Sequence, residues 1–430
     1  MSGQTQPVPF LDALKVWARI GVMSFGGPAG QIALMHRVVV DERKWLSEQQ
    51  FLNALNFCML LPGPEAMQLA TYSGWRLHGV RGGLAAGLLF VVPGALVVLG
   101  LAMIYGLYGK APLVSAVFFG IKAAVLVIVI EALLRISRKA LKRAFDWWVA
   151  GLAFVALFVF NAPFPLVIAL AGLAGFWLVR AEQGSADMVP VTPVRWQRTL
   201  ATVGLWLVIW FAPIAAVAAL TFHDHVLVTV GLFFSKLAVV TFGGAYAVLA
   251  YMGQQAVETH NWLTAEEMID GLGLAETTPG PLILVTEFVG YLAGFRASGL
   301  LGSISGGVAA AAMTLWATFA PCFLWVFAGA PYVERLQSMP RFSSALAGIT
   351  AAVVGVILNL SIWFGLHVVF AEVERLEAGP VSMSWPVWSS VQWATLPLIG
   401  IAALALLRFH ISVLTTLVIC AGLGVALSLV

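Results

Sequence analysis

Residues 58–70 read Cys58-Met59-Leu60-Leu61-Pro62-Gly63-Pro64-Glu65-Ala66-Met67-Gln68-Leu69-Ala70. Residues 275–287 read Ala275-Glu276-Thr277-Thr278-Pro279-Gly280-Pro281-Leu282-Ile283-Leu284-Val285-Thr286-Glu287. Each is a Pro-Gly-Pro inside a long apolar run. Proline lacks an N–H and restricts the residue before it, so no helix continues through the triplet. Unwound backbone at membrane depth is tolerated only where protein buries it or where it lines a cavity. Two such breaks at corresponding places decide the reading of the whole chain.

Composition places the breaks in a bilayer. Hydrophobic residues are 61% of the 430 and charged residues 10%, against about 45–50% and about 25% in soluble domains. Mean hydropathy is +0.95. A net charge of +3 is too small to imply a nucleic-acid partner. Cys58, Cys322 and Cys420 lie far apart with no CxxC pair, so they read as small core residues. Residues 1–9 lack the pattern of a cleaved signal.

A crossing helix needs about 20 apolar residues. Clear candidates are 82–109, 112–134, 147–160, 163–180, 199–221, 226–251, 300–329, 342–364, 389–407 and 410–429, with interrupted stretches at 10–40, 47–80 and 263–296. Each interrupted stretch can cross as two half-helices or re-enter. Counting each as one crossing predicts an all-α polytopic protein of about 13 spans. Arg135, Arg138, Lys139, Lys142 and Arg143 put the loop after 134 in the cytoplasm. The N-terminus is then cytoplasmic and the C-terminus periplasmic.

The breaks belong to an internal repeat. Ser24-Phe25-Gly26-Gly27 recurs 217 residues later as Thr241-Phe242-Gly243-Gly244. Trp45-Leu46 recurs at that offset as Trp262-Leu263, and Pro62-Gly63-Pro64 as Pro279-Gly280-Pro281. Past an insertion the offset is 228, pairing Pro93 with Pro321 and Gly120-Ile121-Lys122 with Gly348-Ile349-Thr350. The predicted organisation is a repeat over 1–180, a linker with a connecting helix over 181–222, and a second repeat over 223–430. An odd number of linking helices inverts the second copy. The basic loop of the first copy corresponds to 365–388, which holds Glu372, Glu374 and Glu377 against Arg375. Inverted repeats with broken helices are the pattern of secondary transporters, whose site lies near the midplane.

The breaks nominate site residues. A helix restarting at Pro64 or Pro281 presents free N–H groups and partial positive charge, which suits an anion; Gly26-Gly27 and Gly243-Gly244 open two more starts. Kinks made only for packing are the alternative. Arg19 and Lys236 each lie five residues before a glycine break. Cations within spans suggest function, with snorkelling to the interface as the alternative. Lys122 opposes Thr350 and either pairs with Glu131 or another span or contacts substrate. Glu65, Glu276 and Glu287 are candidates for proton coupling, although Glu65 can instead cap its helix. Asn53, Asn56, Gln68, Thr277 and Thr278 could donate to oxyanion oxygens or satisfy neighbouring backbone. No enzyme motif, nucleotide loop, cofactor motif or metal cluster is found. His223-Asp224-His225 reads as a loop end.

These motifs together resemble the chromate ion transporter (CHR) family in its long, two-domain form. The match is strong over 10–136 and 226–364. The family's motif positions fall on Phe25, Gly26, Gly27, Pro62, Gly63 and Pro64, and on Phe242, Gly243, Gly244, Pro279, Gly280 and Pro281. Its basic position falls on Arg19, with Pro93 and Lys122 in later family-like segments. The resemblance implies an inner-membrane exporter of chromate, driven by the proton motive force and giving chromate resistance as an antiporter. Its expected partners are chromate or a similar oxyanion, protons and lipid, with a homodimer as one option. A sulfate or other oxyanion carrier is the runner-up. A passive anion channel and an intramembrane lipid-modifying enzyme are readings from other classes.

Overall fold

A computed structural model describes residues 8–25, 27–178, 196–221, 225–242, 245–297, 302–332 and 340–429. It is an all-α membrane protein, with one hairpin among the described residues. The helices are α1 Phe10–Met23, α2 Gly27–His36, α3 Glu48–Cys58, α4 Glu65–Tyr108, α5 Pro112–Ala140, α6 Ala144–Phe158, α7 Phe164–Leu178 and α8 Trp196–Leu220. They continue as α9 Val226–Val240, α10 Ala245–Gln254, α11 Ala265–Thr277, α12 Val285–Arg296, α13 Gly302–Gly329, α14 Pro340–Val369, α15 Thr395–Ala403 and α16 Val413–Ser428. Among the described residues, five segments are long and apolar enough to cross a bilayer: Glu65–Tyr108, Pro112–Ala140, Trp196–Leu220, Ile304–Tyr332 and Ser344–Val369. Cys58, Cys322 and Cys420 are all buried and free.

The breaks fall where proline and glycine put them. α1 ends at Ser24 and α9 at Thr241. The first Pro-Gly-Pro separates α3 from α4, whose first residue is Glu65. The second is followed by a 3-10 turn, Leu282–Leu284, before α12 begins, so the expected restart at Pro281 is delayed by one tight turn. α4 joins the second part of the predicted stretch 47–80 to the stretch 82–109, interrupted by non-helical His78 and by Gly79 at φ +62°. The segment expected as an acidic loop holds an antiparallel hairpin, β1 Val373–Ala378 with β2 Val381–Pro386. Gly379, at φ +60°, makes its turn.

Equivalent positions of the two copies take equivalent local structure. α3 starts with a capping box between Ser47 and Gln50, and α11 starts with the same reciprocal bonds between Thr264 and Glu267. Lys44 and Asn261 both take positive φ, 53° and 51°. The Trp45 N–H donates to the Val39 carbonyl at 2.8 Å, and Trp262 to Ala256 at 2.9 Å.

Two compact units form, each assembled from both copies. One comprises Met1–Met103, Ala186–Gly244 and Thr278–Ser338; the other comprises Ile104–Ser185, Ala245–Thr277 and Met339–Val430. In the first, α13 packs on α8, α9 and α12. In the second, α5 packs on α16, and α14 packs on α7. Glycine sets those approaches. A side chain at Gly120 would strike the Cys420 carbonyl, and one at Gly424 the Ala116 carbonyl. One at Gly348 would strike the Ala171 carbonyl, and one at Gly175 the Ser344 carbonyl. Between lipid-embedded helices, close packing at small residues replaces the hydrophobic drive of a soluble core.

Gly120→Val is therefore expected to destabilise by about 1–3 kcal/mol or more, read as a lower unfolding temperature in detergent. Gly151→Ala, inside α6 where a Cβ meets open space, should not lower that temperature.

Candidate functional site

The four breaks of the first unit are bonded across the two copies. The Gly63 N–H donates to the Thr241 carbonyl at 2.8 Å, and the Gly280 N–H donates to the Ser24 carbonyl at 2.8 Å. These are the same bond made twice, since Ser24 corresponds to Thr241 and Gly63 to Gly280. Each hydroxyl turns back on its own helix: Ser24 Oγ donates to the Ile20 carbonyl and Thr241 Oγ1 to the Leu237 carbonyl, both at 2.6 Å. Both glycines sit at positive φ, +120° at Gly63 and +94° at Gly280. A Cβ at Gly63 would press on the Gln68 amide and on Cys322 Sγ; one at Gly280 would press on Leu284 and on the Gly94 backbone. Cys322 and Gly94 are themselves equivalent positions.

Two amides complete the arrangement. Gln31 Nε2 donates to the Gly280 carbonyl at 2.5 Å and to the Ser24 carbonyl at 3.4 Å. Gln68 Nε2 donates to the Pro62 carbonyl at 2.7 Å. Both side chains are buried, and the oxygens Gln31 Oε1 and Gln68 Oε1 have no hydrogen-bond partner among the described residues. Buried polar atoms left so are costly. Each oxygen is left able to accept a hydrogen bond.

The predicted site residues distribute as follows. Arg19 on α1 and Lys236 on α9 are both exposed on the protein surface. Phe25 is exposed, and Gly27 has φ +69° with open space around its Cα. Gly26, Gly243 and Gly244 lie outside the described residues, as do His223 and Asp224. Pro62, Pro64 and Pro279 are half-buried and Pro281 is buried. Glu65 is half-buried in the first turn of α4. Glu287 is 1% exposed in the first turn of α12, and neither carboxylate oxygen has a hydrogen-bond partner among the described residues. Asn53 and Thr277 are half-buried, Asn56 is exposed and Thr278 is buried.

Lys122 and Glu276 fall in the second unit. Lys122 Nζ lies 3.4 Å from Glu266 Oε2 and 3.8 Å from Asp270 Oδ1. Its salt-bridge partners are therefore on α11 rather than at Glu131. Asp270 Oδ2 accepts from the Tyr105 hydroxyl at 2.7 Å. The Glu276 carboxylate accepts from the Tyr246 hydroxyl, also at 2.7 Å. Gln31, Tyr105, Tyr246 and Asp270 are the residues that sequence reasoning missed. Asp270 had a signal of the kind that marked Lys122: a lone acid in the run Met268-Ile269-Asp270-Gly271-Leu272.

Comparison with known proteins gives the family. A family model described as "Chromate transporter" matches residues 11–176 and again 228–425. The chain is 30% identical to the "Chromate transport protein" of Cupriavidus metallidurans over 83% of each chain. It is 31% identical to the "Chromate transport protein" of Pseudomonas aeruginosa, over 82% of this chain and 80% of that one. It is 30% identical to the "Probable chromate transport protein" of Synechococcus elongatus, over 81% and 82%. These relatives and the family are transporters, not enzymes. No solved structure matches.

Gly63→Ala and Gly280→Ala each force a side chain into positive φ and against filled space, which is expected to cost about 1–3 kcal/mol. Gly27→Ala meets strain alone. Unfolding in detergent should rank the two Pro-Gly-Pro variants below Gly27→Ala, and an equal ranking would refute the clasp.

Proposed function

The chain belongs to the chromate transporter family, and from that premise we propose that it is a secondary transporter that exports chromate across a bacterial inner membrane at the expense of the proton motive force. The observation that carries the reading is the pair of equivalent bonds between breaks, Gly63 to Thr241 and Gly280 to Ser24. Discontinuous helices in both halves of a duplicated membrane protein are the best structural pointer to a transport site. The relatives that bear the name chromate transport protein supply the substrate.

In this reading the oxyanion sits beside the breaks. Arg19 and Lys236 offset the charge of a tetrahedral dianion, and N–H groups at the helix starts replace part of its hydration. The Gly63 and Gly280 N–H groups are held by the clasp, so the donors come from the turns that follow. Glu65, Glu276 and Glu287 are the carboxyls among which proton coupling is sought. The repeats 1–180 and 223–430 face opposite sides, joined through 181–222, with about 13 crossings, the N-terminus in the cytoplasm and the C-terminus in the periplasm. The basic residues at the C-terminal end of α5 and just after it, and the acidic residues in and beside the hairpin, support that inversion. Rocking of one repeat against the other alternates access. Sulfate is the second reading, because donors arranged around oxygens read charge and shape and not the central atom.

At equal protein level, cells carrying Arg19→Ala or Lys236→Ala should accumulate more chromate than cells with the unaltered chain; equal accumulation removes the two cations from the mechanism. A reporter fused within 365–388 should give a periplasmic signal, and a cytoplasmic one would end the inverted-repeat reading. Competition between chromate and sulfate in vesicles separates the two substrates.

A further inference from the structure

The second unit holds a charge cluster that this reading does not use. Lys122 comes from the middle of α5, Asp270 and Glu266 from α11, and Tyr105 from the C-terminal end of α4. Asp270 is 5% exposed. Its Oδ2 accepts from Tyr105. Its Oδ1 has no hydrogen bond among the described residues and faces Lys122 Nζ at 3.8 Å. Glu266, the nearer partner of Lys122, is largely exposed. Three elements thus meet at one buried carboxylate with an open oxygen.

The duplication provides a control within the same chain. The positions equivalent to Glu266, Asp270 and Lys122 are Gln49, Asn53 and Thr350. All three change from charged to neutral, and each replacement still forms hydrogen bonds. On α3, Gln49 Nε2 donates to Asn53 Oδ1 at 3.0 Å, so the neutral set makes a local structure of its own. The scaffold does not require the charges. One copy has them as a set and the other lacks them as a set, which separates their role from packing.

We infer that Asp270 is a proton-accepting carboxylate whose ionised form holds Lys122 and whose protonated form releases that cation to favour the oxyanion. The inference rests on the transporter reading above and adds a coupling residue to it. The balance is simple. One proton from hydronium adds to Asp270 Oδ1 and leaves water, the Tyr105 hydroxyl keeps its bond to Oδ2, and the cluster gains one positive charge. Lys122 is left with exposed Glu266, and such surface pairs hold weakly. For a buried pair, Coulomb attraction and desolvation nearly cancel. A single proton therefore tips the balance, and an arriving anion does the same from the other side by linkage.

Other titratable groups around the cluster are few. α5, α14 and α16 pack against α11. Apart from Lys122, α5 carries Glu131, Arg135, Arg138 and Lys139, toward its C-terminal end. α14 brings Arg341 and His367, and Glu266 acts electrostatically on His367. α16 carries no acid or base except Cys420. Glu267 adds negative charge from α11 itself.

The test uses the full chain in proteoliposomes with two readouts. Infrared difference spectra between acid and neutral pH should show the C=O band of a protonated carboxyl, lost in Asp270→Asn. Chromate flux should rise under an imposed pH gradient in the unaltered chain and show no gradient dependence in Asp270→Asn. The double variant Lys122→Thr/Asp270→Asn carries neutral residues found in the other copy. It should elute as the unaltered chain does and unfold at the same temperature in detergent, which excludes unfolding as the cause. An unchanged carboxyl band, or gradient-driven flux that survives Asp270→Asn, overturns the inference. If the band disappears in Asp270→Asn but the unaltered chain moves neither chromate nor sulfate, the transport reading fails and the proton switch stands.

Discussion

A backbone N–H or C=O without a partner costs several kcal/mol in hydrocarbon, and each helix break creates such groups. The first unit meets that constraint by crossing its bonds. The donor freed at Gly63 finds the carbonyl freed at Thr241, and the donor at Gly280 finds the one at Ser24. Neither copy satisfies its Pro-Gly-Pro turn alone in this way. The duplication is therefore a structural requirement of the breaks as well as a historical one. It also gives a physical reason for compact units that each draw segments from both copies.

The second unit applies the same logic to packing. Gly120 receives the backbone of α16 at Cys420, and its equivalent Gly348 receives the backbone of α7 at Ala171. Each long helix thus approaches the last helix of the other copy. Helices whose surfaces are as apolar as the lipid gain little by hiding them, so contact must come from close fit. Glycine permits the fit because carbonyl and Cα can approach where a side chain would stand.

Much of this was legible in the sequence because proline and glycine make statements about backbone. The triplets at 62–64 and 279–281 located two breaks, and the glycine pairs Gly26-Gly27 and Gly243-Gly244 located the others. The membership shown by the family match agrees with the resemblance carried by those motifs. The crossing of the bonds was not legible, because a freed N–H does not announce which carbonyl will take it. Asp270 lacks the adjoining Pro-Gly-Pro that marks Glu276, although an acid among Met268, Ile269 and Leu272 is a costly placement. The hairpin at 373–386 was hidden by its polarity: Glu374 and Glu377 read as loop, and Gly379-Pro380 was the one local sign of a tight turn. Arg19 and Lys236 were matched by position, but position does not tell which face of a helix meets solvent, lipid or substrate, and both are exposed on the protein surface.

The two copies share a scaffold and differ in chemistry, and the differences are not scattered. The first copy has amides at Gln31 and Gln68, where the second has Val248 and Val285. It has a lysine at 122 against Thr350. The second copy has the acids Glu266, Asp270 and Glu276, where the first has Gln49, Asn53 and Met59. Two equal anion sites would need the same donors twice, and two equal proton routes would need the same acids twice. Neither condition holds. Symmetry survives in glycine, proline, the caps and the cations Arg19 and Lys236, and it is lost at Lys122, Glu266, Asp270 and Glu276. The amides Gln31 and Gln68 thus belong to one copy and the buried carboxyls Asp270, Glu276 and Glu287 to the other, so the two copies are not interchangeable in chemistry.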